Sequence, residues 1–149
     1  MWISEIAERA IMSAMAGLDV TMRASRVDNE PAKPDERQEF PCMVIMASGG
    51  STDSIESINS EVNLAITLIT HYEDDPKRTT LAVLEDKMRK ILGVGIATNT
   101  VRTAFNAIAV TASETYYMKG LTNIEGGQVE PSEKKQSITT TMILHVCGS

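Results

Sequence analysis

The chain has few aromatic side chains: among 149 residues only Trp2, Phe40, Tyr72, Phe105, Tyr116 and Tyr117 carry rings. Base stacking needs exposed rings, and a net charge of −6 repels phosphate, so both features argue against tight, direct nucleic-acid binding. Cysteine is scarce too. Cys42 and Cys147 have no Cys or His neighbour at zinc-binding spacing, which excludes a metal knot and leaves two buried free thiols as the expectation. No stretch approaches the ~18 consecutive apolar residues of a membrane span. The opening MWISEIAERA places glutamates, and no basic region, ahead of its apolar positions, unlike a secretory leader. The expectation is a soluble, intracellular protein without membrane contact.

What is present suits one domain over residues 1–149, because a chain of this length can bury roughly 68–70% of its unfolded surface and needs no staple. Apolar residues at Ile3, Ile6, Ala7, Ala10, Ile11, Ala14, Met15 and Leu18 predict an amphipathic helix over residues 2–16, with Glu5, Glu8 and Arg9 on its wet side. A short strand is expected within 20–26, followed by a charged, proline-punctuated surface loop. Residues 40–47 read as a strand. Val62, Leu64, Ile66 and Leu68 alternate in a second one, across the polar connector 48–61. Asp75-Pro76 then suggests an N-cap and first-turn proline for a helix over 76–92, with Leu81, Leu84, Met88, Ile91 and Leu92 inward and Gly93 closing it.

Residues 104–118, AFNAIAVTASETYYM, alternate well enough to predict a third main strand. Ile138, Thr140, Met142, Leu144 and Val146 mark a fourth. The segment 119–137 between them, with Gly126-Gly127 and Pro131, suits a projecting hairpin loop that adds little to the core. The fold class is therefore α+β: an antiparallel, twisted sheet of about four main strands, two helices packed on one face, and long hairpin loops. The other face would carry Thr67, Thr139, Thr141, Ile69, Ile143, His71 and His145, too apolar to be wholly wet, so a partner is expected to cover part of it.

No catalytic constellation emerges. His71 and His145, in the similar strings LITHY and MILHV, could meet across the sheet, but no third ligand or base stands at a defining spacing. Glu73, Asp74 and Asp75 are more simply read as a helix cap than as a cation site. Gly93-Val94-Gly95 follows a helix where a phosphate loop would open one. Nine methionines suit an adaptable core. The expectation is a non-enzyme with no cofactor, no metal and no catalytic residue, whose contacts lie in the long loops: Asp53 and Glu56 in the first, Lys119, Glu125, Glu130, Lys134 and Lys135 in the second. Lys77 and Arg78 stand at the wrong end of a helix dipole and suggest basic groups held for a neighbour.

An N-terminal helix, a strand containing FPCMVIM, a strand ending in THYEDDP, a helix closing with MRKILG and a final strand pair together resemble the tail terminators of tailed bacteriophages, and the related tail-completion and neck proteins. The resemblance covers residues 2–146 as an order of elements. It implies a structural virion protein that forms a hexameric ring, caps the head-proximal end of the tail tube and joins it to the neck. Its partners would be other copies of itself, the tube, the neck or connector proteins and the sheath. DNA would pass through the lumen without specific binding, and the protein would reside in the virion after assembly in the host cytoplasm. Two alternatives stay open: a small ligand-binding or enzymatic domain that uses the Thr- and His-bearing sheet face, and an adaptor dimer.

Overall fold

Two strands of 14 residues each, Ile58–His71 (β3) and Lys135–Gly148 (β6), pair antiparallel along their whole length and set the layout of the molecule. The computed structural model describes residues 2–25, 27, 40–49, 58–93, 100–132 and 134–148. The other elements, in chain order, are α1 (Ile3–Ala14), β1 (Thr21–Ala24), β2 (Cys42–Gly49), α2 (Thr79–Leu92), α3 (Thr100–Thr111), β4 (Tyr117–Gly126) and β5 (Glu130–Ser132). The fold is α+β. Among the described residues its sheet has six strands and runs β1-β2-β3-β6-β4, with β5 also on β6. It is mixed, not purely antiparallel, because β1 lies parallel to β2, with Thr21 beside Cys42 and Ala24 beside Ile45.

One face of the sheet is sealed. Met43, Ile45, Ala47, Val62, Leu64, Ile66, Leu68, Ile138, Met142, Leu144 and Val146 share a single core with Ile3, Ile6, Ala10 and Ile11 of α1, Leu81, Leu84 and Met88 of α2, and Val101, Phe105 and Ala109 of α3. Alternation in the strands and i, i+3, i+4 spacing in the helices put these side chains together.

Three expectations are corrected here. The run expected as a third main strand over 104–118 is instead α3 for most of its length. Val101, Ala104, Phe105, Ile108 and Ala109 follow i, i+3, i+4, i+7, i+8, and a segment rich in alanine favours helix over strand. Among the described residues three helices, not two, therefore cover the face. Second, most of 119–137 is no projecting loop. β4 and β5 lie along β6 as one interrupted strand, and Leu121, Ile124 and Val129 pack against the core. Gly126-Gly127 marks a close approach within it: a Cβ on Gly127 would stand 2.9 Å from the Thr139 carbonyl oxygen, which accepts the Gly127 N–H at 2.8 Å.

Third, Glu8 is fully buried, not on the wet side of α1. It lies on the stripe Ser4, Glu8, Ile11, Met15, which faces the edge of the sheet just where β1 stops. There its carboxylate accepts the Ala47 N–H at 2.9 Å, the Ser25 hydroxyl at 2.9 Å and the Val27 N–H at 3.2 Å. An isolated carboxylate is costly to bury, and these donors offset that cost while satisfying amides that β1 no longer reaches.

The start of α2 is also tied down. The helix begins at Thr79, after Arg78 at φ 59°, yet Asp75 still caps it by accepting the Thr80 and Leu81 N–H groups at 2.9 and 3.0 Å. The Thr70 hydroxyl donates to Asp75 at 3.2 Å. Gln136 Nε2 donates to the Asp75 carbonyl oxygen at 2.7 Å and to Thr70 Oγ1 at 3.0 Å, and Arg78 Nε donates to Gln136 Oε1 at 3.1 Å. Arg78, unexplained as a helix charge, thus has a structural partner. At the other end Gly93 takes φ 86°, the left-handed value that closes the helix.

Leu84→Ala or Met88→Ala should destabilise the chain by about 2–5 kcal/mol, measured by chemical denaturation, because each empties a buried aliphatic site. Unchanged midpoints in both would mean that α2 is not packed as described. Replacing residues 121–135 by a short Gly-Ser turn, harmless if the segment were a loop, should instead cost several kcal/mol, since it removes most of a strand and three core contacts; a native-like melting profile would contradict the strand.

Candidate functional site

Among the described residues, most of the sheet face opposite the helices is open. It carries the residues expected there: Thr67, Ile69 and His71 from β3, and Thr139, Thr141, Ile143 and His145 from β6. One end is covered by the chain itself. Phe40 packs on Cys42, Val44 and Ile69, its ring 6.2 Å from that of His71, with Lys135 Nζ 5.4 Å above it. Burial pushes the Cys42 thiol up, and the nearby positive charges of Arg23 and Lys135 only partly oppose this. Both cysteines are buried thiols, as expected.

No described residue covers the middle of the face. Thr67 and Thr139 share a hydrogen bond of 2.9 Å, and beside them Met46 is 50% exposed. A shallow concavity of 380 Å³ lies over Ala65, Thr141 and Ile143, rimmed by Ser48, Asn63, Asn123 and Glu125. At the far end Tyr117 is 46% exposed. The face therefore mixes hydroxyls with uncovered apolar groups, in a setting where a solvated sheet would alternate to polar.

The two histidines do not meet. His71 pairs with Lys135 and His145 with Glu61, ten register positions apart, a separation of about 33 Å at ~3.3 Å per residue. His145 has other company instead. Its Nε2 lies 2.6 Å from Thr122 Oγ1 and its Nδ1 lies 3.9 Å from Glu61 Oε1, at the rim of a 560 Å³ concavity that Lys119 also lines. The order hydroxyl, imidazole, carboxylate has the sense of a nucleophile, base and orienter. Its second link is too long for a hydrogen bond, however, and the Glu61 side chain is 66% exposed, where such a pair holds weakly. This trio could not be found from sequence, because it needs the true position of β4.

The residues expected to make contacts are spread out, not gathered. Lys119 is the extra residue of a bulge between Met118 and Gly120, and exposed Glu125 faces Thr141 at the central concavity. Glu130 is exposed on β5. Lys134 is exposed in the following turn, where its carbonyl oxygen accepts the Tyr72 N–H at 2.9 Å, and half-buried Lys135 sits over Phe40. Asp53 and Glu56 lie outside the described residues. Of the acidic run, Asp75 is the buried cap, while Glu73 and Asp74 are exposed in the turn before α2. Among the described residues no group of three or more His, Cys, Asp or Glu stands close enough to hold a metal. No helix among them is long and apolar enough to cross a membrane.

No protein-family model matches the chain, and no curated protein does. One solved structure, a protein known only by a serial designation, overlays on it with a TM-score of 0.44 at 11% identity, covering 93% of this chain and 88% of that one. A likeness at that level carries no functional argument.

His145→Ala removes one exposed cross-strand contact and should change stability by less than about 1 kcal/mol, with a native circular dichroism spectrum. A larger loss would mean that the Thr122–His145 contact holds β4 in place.

Proposed function

We propose that this chain is a structural subunit of a bacteriophage tail, a terminator that closes into a hexameric ring at the head-proximal end of the tail tube and joins it to the neck. The observation that carries the reading is the two-sided sheet. Among the described residues three helices seal one face, while the other leaves Met46, Tyr117 and Thr141 exposed and Ala65, Thr67, Thr139 and Ile143 half-buried. Such a face suits burial against another protein better than it suits solvent. The order of elements that resembles the terminators supplies the specific identity. A small domain in a cyclic assembly presents two different patches to its two neighbours, and a net charge of −6 would let DNA pass the lumen without phosphate contacts that hold it.

The direct test is the morphology of virions produced without this protein. Overlong tails lacking heads are expected. Tails of normal length joined to capsids would reject the terminator reading.

A second reading is a small ligand-binding or enzymatic domain, favoured by the His145–Thr122 contact beside its concavity. It predicts that His145→Ala abolishes a ligand affinity or a turnover while the fold stays native. The assembly reading predicts that ring formation survives that substitution.

A further inference from the structure

Positive charge is concentrated in one segment, the turn before α2 together with α2 itself. Between Lys77 and Gly93 lie five of the chain's 14 lysines and arginines but only two of its 20 acids, so this segment is +3 and the remainder −9. Local structure accounts for part of it. Arg78 bonds Gln136, and Arg89 and Lys90 occupy the last turn, where the helix dipole favours cations. Lys87 has none of these roles. With Val83 and Lys90 it forms an i, i+4, i+7 stripe on the outside of α2, opposite the buried Leu84 and Met88, and Val83 on that stripe is 46% exposed. An apolar side chain one turn from an uncommitted lysine has the make-up of a contact stripe.

The open sheet face supplies the complement. Its central concavity is floored by Ala65, Thr141 and Ile143, and exposed Glu125 is the charged residue on its described lining. The cations of this face among the described residues stand away from its centre: Lys119 at the Glu61–His145 rim, Lys135 over Phe40, and Arg23 on the edge strand β1 beside Val44. We propose that the outer stripe of α2 in one copy of the chain docks on the open sheet face of a second copy, with Val83 over Ala65 and Ile143 and Lys87 paired with Glu125. The proposal rests on the assembly reading and names the surfaces that assembly would use. A helix laid on the second face repeats what the domain's own helices do on the first. The two patches differ, so the contact is head-to-tail, the kind that closes into a ring when its rotation allows. The rest of the chain being −9, the +3 segment 77–93 that contains α2 is also steered toward the body of a neighbouring copy and away from that copy's own 77–93.

The test is the native mass of the full chain against protein concentration, at about 0.05 M and about 0.5 M salt, for wild type, Lys87→Glu, Glu125→Lys and the double reversal, with thermal unfolding to check each fold. Wild type should assemble, and more weakly at high salt. Each single reversal should raise the assembly midpoint by about tenfold at low salt, and the double reversal should restore it. Wild-type particles that persist while single reversals leave their midpoint unchanged, or while the double reversal is no better than the singles, reject this contact and leave the assembly reading standing. A wild-type chain that stays monomeric at every concentration rejects both.

Discussion

The unbroken pairing of β3 with β6 is the constraint on which the rest depends. Because side chains alternate with a period of two, this single register decides that Val62, Leu64, Ile66 and Leu68, with Met142, Leu144 and Val146, face the helices, and that Thr67, Thr139, Thr141 and both histidines face away. A slip of one residue would exchange the two sets and expose the core, so the apolar pattern itself holds the register. Fourteen residues per strand also make the ladder long enough for β2 to dock along one side and the β4–β5 strand along the other.

Buried polar groups then fix the helices to that ladder. Asp75 joins the end of β3, the start of α2 and Gln136 of β6 in one fully hydrogen-bonded cluster, and Glu8 does the same for α1 and the edge where β1 ends. Hydrophobic contact alone would allow each helix to slide along the sheet. A carboxylate that needs particular amides does not, because displacement leaves donor and acceptor buried without partners.

Strict patterns were legible in the sequence, and mixed ones were not. The stripes of α1 and α2 and the alternation of β3 and β6 each fit one period and appear where expected. Residues 104–110 are nearly all apolar and fit both periods, and an alternating reading missed that Val101, Phe105 and Ala109 recur every fourth position. That error displaced the next strand into a polar segment, whose side chains are half exposed on an edge and whose Gly-Gly looks like a turn although it serves a close approach to β6. Glu8 was misplaced for a different reason: charge on a helix reads as solvent-facing unless its buried partners, here 17 to 39 residues away, are known. The open face was legible as a face, and its threonines and histidines lie where alternation put them. The Glu61–His145–Thr122 grouping was hidden because it depends on the two register shifts in β4.

A sheet sealed on one side and half apolar on the other is an incomplete sandwich, and the account holds that a protein neighbour completes it. The labelling rate of a cysteine placed at the centre of that face tests this most directly. Thr141 is exposed and both native thiols are buried, so Thr141→Cys would supply the reporting group. The account predicts fast alkylation in dilute, dissociated protein and strong protection at assembling concentration. Equal rates in both conditions, with assembly verified by mass, would show that the face stays in water and contradict the account.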